Sequence, residues 1–189
     1  KALLAIARVR GRANAPAPVE EICSELRKPN AGTARQRAEC DYLAAFLHLE
    51  LDREKGRAAL EKVTRDHPKQ GRAADARWLL ALDSLRHEPK AAFARFDALV
   101  KSAGDAEAAA QALYWRGRVR HADEPEKAKA DWRAAIARDP FGYYALLSAS
   151  RLGEKPAEGA CGGKHAIASD APEASRLAAQ LLETGFRRY

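Results

Sequence analysis

The chain has 189 residues, a length that suits one domain or a short repeat array, and its 33 Lys plus Arg against 26 Asp plus Glu give a net charge of +7. Alanine fills 43 positions, whereas Ile, Val and Thr total 12, far too few for the strands of a sheet protein of this size. A β or α/β fold is nearly excluded, and the composition points to closely packed helices, because alanine loses no side-chain entropy on ordering and lets helix axes approach.

Helix start and stop signals divide the chain in order. Leu3 to Arg10 reads as the tail of a truncated helix ending at Gly11, and Asn14 to Pro18 as a Pro/Ala linker, so residues 1–18 stand apart. Helices are predicted over Val19–Arg27, Thr33–Leu51, Arg53–His67, Arg72–His87, Pro89–Ser102, Ala106–Ala122, Pro125–Arg138 and Phe141–Leu152, the last closed by Gly153. Connections this short make neighbouring helices antiparallel hairpins, which gives a repeat array over residues 19–153. A Gly/Pro-rich loop, Glu154 to Asp170, and a helix, Pro172 to Glu183, complete residues 154–189. The chain contains no Met, which predicts a processed or excised piece of a longer protein with any signal peptide removed. No apolar stretch approaches the roughly 18 residues of a membrane span.

The hairpins repeat. Ala59, Ala92 and Ala128 fall at equivalent places on successive second helices, and four residues further on stand Val63, Phe96 and Trp132. The first helices carry Phe46, Trp78 to Leu80 and Trp115 at a similar interval. Helix pairs of about 34 residues with an Ala and then a large side chain resemble tetratricopeptide repeats, and the expected fold is an all-α solenoid, a superhelix of antiparallel hairpins. Trp78, Trp115 and Trp132 are assigned to its core.

Charges are mostly interleaved, as in Arg53-Glu54-Lys55, the pattern of a solvated helical face. The exceptions are Arg116, Arg118 and Arg120, and the terminal Arg187-Arg188, where positive charge lacks a local counterpart. A nucleic-acid partner would need a continuous basic stripe, which the interleaving argues against. Cys23 and Cys40 either remain buried thiols or, on neighbouring antiparallel helices at matching heights, pair as a disulfide in an oxidising compartment. Cys161 and His165 supply two of the four ligands a zinc site requires, so no metal is expected. The stretch Gly159 to Lys164 has the wrong spacing for a phosphate loop and follows no strand, so no nucleotide or other cofactor is expected either. His48, His67, His87 and His121 lie at or near helix ends, where a partly charged imidazole meets terminal carbonyls, and no two have ligand spacing.

From Ala112 the chain reads ALYWRGRVRHADEPEKAKADWRAAIARDPFGYYALLSASRLG. Tyr114, Trp115, Gly117, Arg118, Trp132, Pro140, Phe141, Tyr143, Tyr144, Leu147, Ala149, Arg151, Leu152 and Gly153 occupy the places of a pattern that resembles the superhelical region of the soluble lytic murein transglycosylases. Ala174 to Tyr189 is similar to the helix leading towards that family's catalytic domain. The resemblance implies a bacterial, periplasmic or cell-envelope setting and a non-catalytic scaffold that positions peptidoglycan glycan strands. The partners it implies are those strands and a C-terminal catalytic domain of the same parent chain. The family cleaves murein with one Glu acting as acid and then base, forming a 1,6-anhydro product. That Glu lies in a Glu-Ser pair followed by a G-L-M-Q segment, and neither occurs here, so residues 1–189 are expected to be inactive on their own.

Within this frame Tyr143 and Tyr144 are glycan-stacking or domain-docking candidates, one pointing inward and the other to a groove, with core packing of both as the alternative. Arg116 and Arg120, four residues apart on one side of a helix, are either solvated or hydrogen-bonded to murein carboxylates, and Arg151 joins them as a candidate. The rival function is a free-standing tetratricopeptide-type adaptor that holds a partner's peptide or helix.

Overall fold

Short-range chemistry sets most helix ends, and the sequence signals it. The computed structural model of the protein describes residues 16–155, within which there are eight helices and no strand. These are α1 (Pro16–Arg27), α2 (Ala34–Leu51), α3 (Arg53–Asp66), α4 (Gly71–His87), α5 (Pro89–Ser102), α6 (Ala106–Arg120), α7 (Pro125–Arg138) and α8 (Tyr143–Leu152). The fold of this region is all-α. The helix expected over Leu3–Arg10, the loop and helix expected beyond residue 155, Cys161, His165 and Arg187-Arg188 lie outside the described residues.

Thr33 opens α2 with a capping box: its hydroxyl accepts from the Gln36 N–H at 3.2 Å, and the Gln36 side chain accepts from the Thr33 N–H at 3.0 Å. Asp105 caps α6 by accepting from the Ala108 N–H at 2.8 Å. Pro89 and Pro125 occupy the first turns of α5 and α7, where a missing N–H costs nothing. The same rule moves one expected boundary: Pro16 and Pro18 stand in the first turn of α1 instead of in a linker. The last helix starts at Tyr143, not Phe141, because Pro140 to Gly142 form a turn held by the Gly142 N–H donating to the Asp139 carbonyl at 3.1 Å. Gly153, at φ 68°, ends α8 in the left-handed region that glycine tolerates best.

Two hairpins turn on a single residue. Asp52 donates its N–H to the His48 carbonyl at the end of α2 and its carboxylate accepts the Lys55 N–H at the start of α3, while Glu88 links α4 and α5 through its backbone alone, donating to the Ser84 carbonyl and accepting from the Ala91 and Ala92 N–H groups. So tight a turn drives α3 against α2. A Cβ on Gly56 would stand 2.3 Å from the Leu49 Cα and N, backbone atoms that yield only if the two helices separate. Gly56→Ala is therefore expected to lose about 1–3 kcal/mol through overpacking, read as a lowered urea midpoint with unchanged slope.

Each helix packs on the next, and α2 also meets α4 while α6 meets α8. The buried side chains form consecutive layers. Val19, Cys23 and Leu26 of α1 face Cys40, Ala44 and Leu47 of α2; Leu60 and Val63 of α3 face Ala76 and Leu80 of α4; Phe96 of α5 packs among Trp78 and Trp115; Trp132 of α7 packs with Tyr114. Val63, Phe96 and Trp132 are fully buried, as are Ala92 and Ala128, while Ala59 is half-buried. Trp78 and Trp115 are only half-buried and Phe46 is exposed, because each sits at the margin of its layer.

A disulfide between Cys23 and Cys40 joins α1 to α2 across the first layer. Ion pairs flank it: Glu20 with His48 near one end of α1, and Arg27 with Asp41 near the other, where His67 Nε2 also meets Asp41 at 2.8 Å. The hydrogen bond with His48 holds the Glu20 carboxyl below its usual range, against the upward push of burial. His48 and His67 thus face carboxylates of neighbouring helices and not the helix-end carbonyls expected of them. The bridge closes a short loop, so Cys40→Ala is expected to cost about 3 kcal/mol, and reductant should lower the denaturation midpoint of the native chain but not of the variant.

Candidate functional site

Arginines one turn apart on a helix converge on a single carboxylate of the next helix in two places. Arg116 and Arg120 lie one turn apart on α6 and point towards α7. Arg116 bonds both Asp131 oxygens, Nε to Oδ2 at 3.1 Å and Nη2 to Oδ1 at 2.5 Å, and its Nη1 reaches Asp97 of α5 at 2.6 Å. Arg120 reaches Asp131 and Glu124, each at 3.3 Å, and lies over the Phe93 ring. Burial opposes the charge on Arg116, but the bonds to Asp131 and Asp97 more than offset it, so its pKa is raised.

This arrangement gives both residues protein partners that the sequence did not indicate. Arg116 and Arg120 keep 17% side-chain exposure, and three carboxylates of neighbouring helices and turns pair with them. Asp97 and Asp131, respectively 19 and 15 residues from Arg116, come beside it only through packing. A second cluster has the same design. Arg53 grips Asp83 with two bonds of 2.9 Å, and Arg57 shares Asp83 and Glu88 with it. Arg53 is therefore held across helices, and the Arg53-Glu54-Lys55 run is not simply a solvated face. The recurring signal, two arginines four apart in the sequence, was present for both clusters.

Arg118 differs in its acceptor. Arg118, between the two neutralised arginines, points to α8. Its Nη1 donates to the Tyr114 hydroxyl at 3.3 Å, and the positive charge of Arg151 on α8 also acts on that phenol. Burial would push the Tyr114 phenol up, but these bonds and charges outweigh it and hold the pKa below the usual tyrosine range. The Arg118 guanidinium also lies 5.5 Å from the centre of the Trp115 ring. Among the described residues neither Arg118 nor Arg151 meets a carboxylate.

Helical spacing explains the alignment. Gln111, Tyr114 and Arg118 share one face of α6, and Tyr144, Leu147 and Arg151 share one face of α8. The two faces meet where Gln111 Nε2 donates to the Tyr144 hydroxyl at 2.8 Å and the Tyr114 and Tyr144 rings lie 5.7 Å apart. Tyr144 is thus half-buried in the seam, whereas Tyr143 at the start of α8 is 66% exposed, and Phe141 in the preceding turn is exposed as well. Arg151 is exposed at the other end of that helix.

Other features are less discriminating. A groove of about 460 Å³ between α5, α6 and α7 is lined by Lys90, Phe93, Arg120, Glu124 and Lys127, but its walls carry both signs and Lys127 and Arg120 already pair with Glu124. Among the described residues no group of three or more His, Cys, Asp or Glu could hold a metal ion, and no helix is long and apolar enough to cross a membrane.

The described region is therefore all-α, each helix packed on the next, and its last three helices carry an aromatic seam with Arg118 beside it. Neither a scan against protein-family models nor searches of curated proteins and of solved structures finds a match to the chain.

Proposed function

We propose that the chain is the non-catalytic scaffold of a peptidoglycan lytic transglycosylase, an α-solenoid of tetratricopeptide-like hairpins that holds murein glycan strands for a catalytic domain elsewhere in the parent protein. The observation that carries this reading is that the residues bearing the family resemblance are also those that pack on one another. Trp132 lies against Gly117 so closely that a Cβ there would stand 2.7 Å from its Nε1, its indole donates to the Tyr114 carbonyl at 3.2 Å, and the Tyr114 ring meets Tyr144. A motif whose members form one packed unit is more specific than the same letters scattered over a surface.

Two further observations support parts of the reading. Contacts between alternate helices recur at the same offset, Glu39 to Arg72 and Gln111 to Tyr144, both 33 residues apart, as stacked hairpins of one repeat length require. The Cys23–Cys40 disulfide suits an oxidising compartment such as the periplasm.

The test is co-sedimentation of the purified chain with peptidoglycan sacculi, followed by analysis of the supernatant. Retention without release of anhydromuropeptides is the expected result. Release of those products would show that catalysis resides in this chain, contrary to the proposal. Failure to sediment, with recovery of a protein partner instead, would favour the adaptor reading.

A further inference from the structure

A notch of about 280 Å³ opens between α3, α4 and α5. Each helix turns residues three apart towards it: Glu61 and Thr64 from α3, Arg77 and Leu80 from α4, and Arg95 and Ala98, with Leu99, from α5. Leu80, Ala98 and Leu99 give it an apolar lining. Arg95 Nη2 meets Glu61 Oε1 at 3.2 Å between α3 and α5, so these two charges balance, and the Thr64 hydroxyl donates to the Glu61 carbonyl at 2.8 Å. Arg77 is what remains. It is half-buried, yet it makes no hydrogen bond or ion pair among the described residues. Every other half-buried arginine among them meets a carboxylate or a carbonyl oxygen. A guanidinium drawn partly out of water gains most from a carboxylate, whose two oxygens match its paired N–H donors.

We propose that this notch binds the C-terminal carboxylate of a short peptide that ends in small aliphatic residues, with Arg77 holding the carboxylate and Leu80, Ala98 and Leu99 covering the last side chains. Charge and size select this occupant. The lining carries two positive side chains and one negative, so a single anionic group completes the balance. The volume falls just below the roughly 300–1,000 Å³ of pockets that enclose drug-sized ligands, which suits a chain end and not a longer segment. On the scaffold reading above, on which this choice of source rests, the chain end is that of a murein stem peptide, D-alanyl-D-alanine, whose methyl side chains suit the lining. None of the residues of the notch lies in the segment from Ala112 that carries the family resemblance.

The test is a titration of the full chain with N-acetyl-D-alanyl-D-alanine, in which calorimetry measures the affinity and the NMR signals of the Arg77 side chain and the Leu99 methyl groups locate the ligand. Saturable binding that moves both sets of signals is the expected result. The affinity should fall roughly ten-fold in Arg77→Gln, less in Arg77→Lys, and not at all in Arg86→Gln, which alters an exposed arginine near the end of α4. Ala98→Glu, which sets a competing carboxylate at the notch from an exposed position, should weaken binding as Arg77→Gln does. The C-terminal amide of the dipeptide, which has the same shape without the charge, should not bind. Absence of saturable binding, equal binding of acid and amide, or an affinity that Arg77→Gln leaves unchanged would overturn the inference. Tighter binding of N-acetyl-L-alanyl-L-alanine would point to a protein tail and overturn the murein stem as the source, and a preference for inorganic phosphate would overturn the peptide. The scaffold reading is judged separately by sedimentation with sacculi. A native chain that does not sediment fails that reading whether or not the dipeptide binds, whereas sedimentation without dipeptide binding fails the notch alone.

Discussion

Trp132→Ala is expected to destabilise the protein by about 3–5 kcal/mol, the range for removing a large buried aromatic side chain. Trp132 is 1% exposed and occupies the middle of the last layer, where Tyr114, Tyr144, Leu147 and Leu152 surround the α7 core. Truncation empties that space and removes the indole donor to the Tyr114 carbonyl. Because Gly117 and Trp132 fit against each other, Gly117→Ala should destabilise the native background yet cost much less when combined with Trp132→Ala, since the new methyl group then enters the cavity. Urea denaturation of the two single variants and the double variant measures that coupling. Additive losses would show that the two residues do not share the contact.

Asp131→Ala is expected to cost about 3–5 kcal/mol as well, for the opposite chemical reason. Asp131 is 4% exposed, and three N–H donors from Arg116 and Arg120 converge on it. Its removal leaves two partly buried guanidinium groups with fewer counter-charges, so much of the loss reflects the stranded charge and not the worth of the pair. An Asp131→Ala/Arg116→Met variant should therefore be more stable than Asp131→Ala alone. If the double variant is the less stable of the two, the stranded-charge explanation is wrong. By contrast, Arg118→Gln and Arg151→Gln should leave the denaturation midpoint nearly unchanged, because neither arginine balances a buried carboxylate.

Much of the helical order was legible because it depends on neighbours along the chain. Thr33, Asp52 and Asp105 cap from their own positions, and Pro89, Pro125 and Gly153 act through backbone geometry that travels with the residue. The burial of Val63, Phe96 and Trp132 was legible too, since the spacing of small and large side chains on a helix states which face must be covered. Pro16 and Pro18 misled because proline opens helices as readily as it interrupts them, and only the covered apolar face of Val19, Cys23 and Leu26 shows which occurs.

The candidate site was legible only in part. Of Arg116, Arg120, Arg151, Tyr143 and Tyr144, the packing leaves Arg151 and Tyr143 outward and seats Tyr144 in the seam, while Arg118 bonds the Tyr114 hydroxyl, a contact the sequence did not indicate. Helical periodicity places Arg116 with Arg120 and sets Arg118 apart, but it carries no information about what each face meets.

By itself, then, the sequence determined an all-α chain, the order of its helices and the large residues that fill the layers, because these follow from backbone propensities and side-chain volume at fixed helical spacing. The tertiary structure alone decided which positive charges remain available. Asp97 and Asp131 balance Arg116 and Arg120, while Arg118 donates to the neutral Tyr114 hydroxyl, and that difference arises from which helices touch.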